Sequence, residues 1–142
     1  MGQEQLDKAL HLQATQFQSM VFINLGNGQY QPQALPRLAQ VSPINSIIVK
    51  DINGDQFLDL IVTGNNYDTE VETPRYDAGT GLVLLGDGTG QFHPMNAKES
   101  GWFVQEHVKD IALIKGPSNN YFIGVAINNE QMQFFKTSNE LK

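Results

Sequence analysis

The residues best suited to chemistry lie in one run, Asp51-Ile52-Asn53-Gly54-Asp55-Gln56-Phe57-Leu58-Asp59, where three carboxylates and one amide stand at positions 1, 3, 5 and 9. Unit charges ~4 Å apart repel by about 1 kcal/mol in water and by several kcal/mol at a protein surface. A hard cation turns that repulsion into coordination, and calcium accepts roughly 6–8 oxygens in a tolerant geometry. Side chains at alternate positions of a curled loop can face one centre, and Gly54 permits the curl where a Cβ would clash. The expected metal ligands are the side chains of Asp51, Asn53, Asp55 and Asp59 and the main-chain carbonyl of Phe57, with water completing the shell. Asp, Asn and Gly also favour turns without any ion. A plain turn is therefore the competing reading, although it needs fewer oxygen donors than this run supplies.

An EF-hand is excluded by position. Its loop requires glycine at position 6 and glutamate at position 12, whereas here the glycine is at position 4 and position 12 is Val62. The flanks, Ile44 to Val49 and Leu58 to Val62, are short and β-branched, so the loop is expected between strands. Other chemistry is weakly supported. His11, His93 and His107 are scattered and read as surface or loop residues. Ser42, Ser46, Ser100 and Ser118 stand in no Gly-x-Ser-x-Gly elbow. Gly86-Asp87-Gly88-Thr89-Gly90 lacks the Gly-Lys-Ser/Thr ending of a phosphate loop. No catalytic residue is assigned, and the chain is not expected to be an enzyme.

Composition sets outer bounds. The 142 residues fit one domain with a sizeable core. A net charge of −6 and a sequence pI near 4.8 argue against nucleic acid, which calls for a basic stripe, and against anionic membrane surfaces. There is no cysteine, which excludes disulfides and thiolate metal sites. No run approaches the ~20 apolar residues of a membrane span. The polar, acidic start Met1-Gly2-Gln3-Glu4 resembles no secretion signal. If Met1-Gly2 is not the natural start, any export signal was trimmed or lies upstream in a longer parent.

The elements that must position the loop read as strands. Residues 1–14 are expected to form a tail or a short helix. Two-fold alternation over 15–25 predicts a strand, with Phe17, Ser19, Val21, Ile23 and Leu25 on one face. It enters Leu25-Gly26-Asn27-Gly28-Gln29-Tyr30, an Asn-Gly hairpin signal. Pro32, Pro36 and Pro43 mark a loop-rich crossing. Strands follow at 45–50, at 58–63 (apolar enough to be buried on both faces) and at 82–85. One or two more are expected over 102–115, then one at 121–127 and a last at 131–136. The polar insert 64–81 is longer than the ~12–15 residues usual for a loop, which favours a functional role. Within it, Tyr67, Arg75, Tyr76 and Asp77 suit a partner-binding loop, since Tyr and Arg are enriched in binding hot spots; Arg75 and Asp77 suit an internal clamp equally well. Asp68, Glu70 and Glu72 read as a solvated acidic stretch, or as a second cation site.

Two internal matches suggest a repeat of short β units. Leu25-Gly26-Asn27-Gly28 recurs as Leu85-Gly86-Asp87-Gly88, and Val49-Lys50-Asp51-Ile52 as Val108-Lys109-Asp110-Ile111. In the second alignment Asn53, Asp55 and Asp59 become Ala112, Ile114 and Ser118, so only one copy keeps the acidic loop. With Asp59-Leu60-Ile61-Val62 and Leu85-Gly86-Asp87-Gly88-Thr89-Gly90-Gln91-Phe92, the Asp51 run resembles the FG-GAP/VCBS repeat of integrin-α-type β-propellers. The similarity is specific over 47–63 and 82–93 and looser from about 15 to 136. It extends to the C-terminal part of large bacterial surface VCBS proteins of the ASPIC/UnbV type, although no such tail is present.

The resemblance implies an all-β fold of two to three four-stranded antiparallel propeller blades, an incomplete arc. The expected divisions are a tail at 1–14, a partial blade at 15–42, a calcium-loop blade at 43–101, a degenerate blade at 102–136 and a tail at 137–142. It implies that the loop binds Ca2+ through Asp51, Asn53, Asp55, Phe57 and Asp59. The function expected is a non-catalytic calcium-binding module for protein or carbohydrate binding or scaffolding. Its expected place is extracellular, at a cell surface or in a periplasm, without membrane insertion. The runner-up is a non-catalytic fragment of a propeller-type carbohydrate-active enzyme, a lyase or hydrolase. An arc has free end strands, so the rest of a longer propeller, or edge-to-edge pairing with another copy, is expected to cover them.

Overall fold

The structure, a computed structural model, describes residues 8–137. Nine strands form three antiparallel sheets. β1 (Met20–Gly26) pairs with β2 (Gln29–Ala34); β3 (Ile44–Lys50), β4 (Asp59–Gly64), β5 (Leu82–Gly86) and β6 (Phe92–Met95) form a four-stranded meander; β7 (Val108–Lys115), β8 (Tyr121–Ile127) and β9 (Gln133–Lys136) form a three-stranded one. A single turn of helix, α1 (Ala97–Ser100), and two short 3-10 turns complete the regular structure of the described residues. Residues 10–17 carry neither helix nor strand, and the expectation of a helix over 1–7 lies outside the described residues.

The four-stranded sheet is the middle layer, and strand alternation shows why. Successive side chains point to opposite faces. Ile48, Ile61 and Val83 lie in register across β3, β4 and β5 and pack with Val108, Ile111, Ile123, Val125 and Ile127 of the three-stranded sheet. Leu60, Val62 and Leu84 point the other way, to Leu35, Ala39 and Val21 beneath the two-stranded sheet. β4 therefore has a core on each side, which is what its unbroken apolar run requires. Each such side chain contributes about 1.5–3 kcal/mol by leaving water. Trp102, 4% exposed, fills the first core edge-on to Phe135 at a 4.9 Å ring separation.

The first hairpin forms as expected: Asn27 and Gly28 both take positive φ, 51° and 75°, the backbone a two-residue turn demands. Residues 102–107, expected to be part of a strand, are irregular, and only β7 follows. One internal match does not survive in three dimensions. Leu25-Gly26 and Leu85-Gly86 both end a strand entering a hairpin, but Val49-Lys50 closes β3 whereas Val108-Lys109 opens β7. The loop following β7 is Gly116 to Asn120, not the run after Asp110. Asp110 lies within a strand and not in a loop.

Candidate metal centre

The loop from Asp51 to Leu58 joins β3 to β4 at one end of the middle sheet. Its shape follows from Asx turns, in which short side chains bond backbone two or three residues on. Asp51 accepts from Gly54 N at 2.7 Å and from Gln56 N at 3.0 Å. Asn53 Oδ1 accepts from Asp55 N at 3.0 Å, and Asp55 accepts from Phe57 N and Asn53 Nδ2, both at 2.8 Å. Gly54 and Gln56 stand at φ +84° and +76°. Glycine takes that conformation freely; Gln56 is held in it against its preference.

Asp59 plays a separate part. It is completely buried, and its two oxygens accept from Ile52 N at 2.8 Å and Gly86 N at 2.9 Å. One carboxylate thus ties the start of the loop, the head of β4 and the end of β5. Asp51 is half-buried, while Asn53, Asp55 and Phe57 are exposed. The Phe57 ring lies against the neighbouring hairpin: a Cβ at Gly88 would meet it at 2.4 Å. In that hairpin the hydrogen bond from the Thr89 hydroxyl, 2.7 Å, holds the Asp87 carboxyl below its ordinary range.

The donor set is oxygen throughout, which fits a hard cation such as calcium and not a transition metal. Asp51, Asn53, Asp55 and the Phe57 carbonyl share one short loop. Among the described residues, however, no three His, Cys, Asp or Glu side chains gather as a ready-made cluster. Asp59 is turned inward onto two amides.

The long insert between β4 and β5 is anchored by a residue the sequence reading passed over. Asn65, 1% exposed and at φ +73°, accepts from the Ser42 hydroxyl at 2.6 Å and from Gly79 N at 2.9 Å. Its amide donates to Gly79 O at 2.8 Å and Gln105 O at 2.6 Å. The signal was present, since Asn tolerates positive φ and follows an apolar strand directly. Tyr67 donates its hydroxyl to Gln105 O at 2.8 Å, and the Arg75 guanidinium lies 5.3 Å over its ring. Burial, then Asp77 and Glu106, push the Tyr67 phenol above its ordinary value, with Arg75 opposing. Arg75 thus engages Tyr67, and Tyr76 bridges Asn66 through backbone while its side chain stays 49% exposed.

Asp68 is itself exposed, its side chain 64%, but it has neighbours. Asn128 Nδ2 donates to it at 3.2 Å, and Lys109 Nζ and His107 Nδ1 lie 3.7 Å from it. Glu70 and Glu72 do stand apart from that group, each exposed. His107 lies in the irregular segment before β7, a loop position as expected, but it is 3% exposed and so not at the surface, with its ring 5.4 Å from that of Tyr67. No helix among the described residues is long and apolar enough to cross a membrane. No protein-family model, curated protein or solved structure matches the chain.

Proposed function

We propose that this chain is a calcium-stabilised, non-catalytic module of β-propeller type that presents its loops to a protein or glycan at a cell surface or in a periplasm. The observation that carries the reading is the Asp51–Asp59 loop itself. Its oxygens are held by single N–H donors, and a carboxylate or amide oxygen that accepts one such bond keeps a lone pair for a cation. Asp51, Asn53, Asp55 and the Phe57 carbonyl would hold the ion. Asp59, whose two oxygens each accept one backbone amide, would complete the shell through a remaining lone pair or by turning from those amides. The ion would neutralise Asp51 and Asp55 and fix the β3–β4 loop against the Gly88 hairpin.

The layer order supports the propeller reading, since blades are small antiparallel meanders packed face to face around an axis. The first sheet has two strands where the middle one has four, and Ile47 and Val49 of β3, on the face turned towards it, stay 47% and 54% exposed. Further strands, from a longer chain or from a copy paired at the β1 edge, would cover them. The ordered insert around Tyr67 and Arg75 is the surface we assign to partner binding. Loop sites in extracellular modules bind calcium at roughly 10⁻⁴–10⁻³ M, a range filled only outside the cytosol.

At about 10 mM calcium such a site adds about 1.4–2.7 kcal/mol by mass action, or roughly 4–10 °C in Tm for a chain of this size. Thermal melts with calcium and with a chelator test this, and Asp55→Ala is expected to abolish the difference. One observation favours a second reading, a loop closed by its own hydrogen bonds: the carboxylates of Asp51, Asp55 and Asp59 do not converge. On that reading calcium shifts neither the wild type nor the variant.

A further inference from the structure

An asparagine side chain followed by glycine can react with its own backbone, and the chain holds two such pairs, Asn27-Gly28 and Asn53-Gly54. Glycine has no Cβ to hinder the approach of its nitrogen to the preceding side-chain carbonyl carbon. The reaction needs that nitrogen to shed its proton and reach Cγ, and it needs the side-chain amide to leave. The structure treats the two pairs differently.

Asn27 and Gly28 form the exposed turn between β1 and β2. Among the described residues no hydrogen bond holds the Gly28 N–H or the Asn27 side-chain amide. The turn is open to water as well, since a Cβ at Gly28 would meet nothing within 4 Å. Asn53 and Gly54 are exposed too, but both reacting ends are tied. Gly54 N donates to Asp51 Oδ1 at 2.7 Å, and Asn53 Nδ2 donates to Asp55 Oδ2 at 2.8 Å. Asn53 Oδ1 also accepts from Asp55 N at 3.0 Å. Hydrogen bonds to carboxylates belong to the stronger class.

We propose that Asn27 is a site of spontaneous deamidation in the folded protein, and that Asp51 and Asp55 hold Asn53 back from the same reaction. At Asn27 hydroxide or water removes the Gly28 amide proton, and the nitrogen attacks Cγ to form a C–N bond. The Cγ–Nδ2 bond then breaks, and the amide takes a proton from solvent and leaves as ammonia. Water opens the resulting five-membered succinimide at either carbonyl, giving aspartate or isoaspartate. One water is consumed, one ammonia is released, and nothing is oxidised or reduced. Either product carries a carboxylate, so the formal charge becomes one unit more negative than −6. Aspartate suits the turn, because Asp-Gly favours the same two-residue hairpin as Asn-Gly. Isoaspartate adds a methylene to the main chain between Gly26 and Gln29, which the register pairs directly. That form is expected to loosen the β1–β2 hairpin. The same lengthening at Asn53 would break the Asx turns of the β3–β4 loop, which its own carboxylates thus protect.

Incubation of the whole chain at mildly alkaline pH, below its Tm and in chelator, tests this, with and without urea. Peptide mapping by mass spectrometry follows both asparagines. In the folded protein Asn27 is expected to react about tenfold or more faster than Asn53, the factor set by releasing one charge-assisted hydrogen bond. In urea the two rates are expected to converge. Asp51→Ala is expected to speed Asn53 and leave Asn27 unchanged. Asp55→Ala, which frees the departing amide instead, is read the same way should Asp51→Ala fail to melt cooperatively. Equal rates in the folded protein overturn the proposal, as does an Asn27 that reacts only in urea. So does a gap that persists in urea, which would place the difference in local sequence, or an unchanged Asn53 rate in the folded variant. Chelator keeps calcium out of every arm, so the outcome stands apart from the calcium reading.

Discussion

Asp59 and Asp55 sit four residues apart, and their surroundings give them different work. Asp59 is buried with both oxygens on backbone amides. Asp59→Asn turns an NH2 towards one of those N–H groups, leaving two buried donors facing each other. A loss of about 2–3 kcal/mol is expected from the unsatisfied groups, read by urea denaturation. Asp55 is exposed, so its variant reports on calcium and far less on folding. Asp87 supplies a pH test. Its carboxyl is held low by Thr89, so its stabilisation is full above the ordinary carboxylate value and is lost as pH falls through the lowered one. Thr89→Ala is therefore expected to lower Tm at neutral pH and to leave it unchanged once Asp87 is protonated, as scanning calorimetry across acid pH would show.

At the scale of elements, the strands were legible because their period and turn chemistry agree. The apolar run after Asp59, the Asn27-Gly28 turn and the Gly-rich turn at 87–91 all lie where pattern and propensity point the same way. What escaped was set by distant contacts. Trp102 and Val104 look like strand residues, yet they run irregularly because the core beneath them is closed by β7 and β8. Helix α1 has its own cap, Asn96 Oδ1 accepting from Glu99 N with Gly101 at φ +66°, but one turn is too short to show a period. The Val-Lys-Asp-Ile match misled because four residues can recur without the strand register recurring. The candidate ligands were legible as a donor set; the inward turn of Asp59 was not, because it depends on Gly86, 27 residues away. Gly81 illustrates the same dependence. It stands at φ +72°, and a Cβ there would meet Trp102 Nε1 at 2.6 Å. Gly81→Ala is expected to cost roughly 1–3 kcal/mol by strain and overpacking, measured as a lower denaturation midpoint with unchanged slope.

Across the whole molecule, the middle and three-stranded sheets are joined by a polar seam as well as a core. Asn45 Nδ2 donates to Val108 O at 2.7 Å, the Ser46 hydroxyl to Asp110 Oδ1 at 2.6 Å, and Ile111 N to Ser46 Oγ at 3.1 Å. Ser46→Ala and Asp110→Ala are therefore expected to be non-additive, with a coupling of about 0.5–1 kcal/mol in a double-mutant cycle. A coupling near zero would mean that the layers adhere through their apolar faces alone.

The sandwiched β4 has one more consequence. Leu60 and Ile61 are covalent neighbours that live in separate cores. Methyl labels placed on them would report independently on the two flanks of the protein. Evolution, or an engineer, can accordingly resize one flank through even-numbered positions of that strand while the odd-numbered ones keep the other as it is.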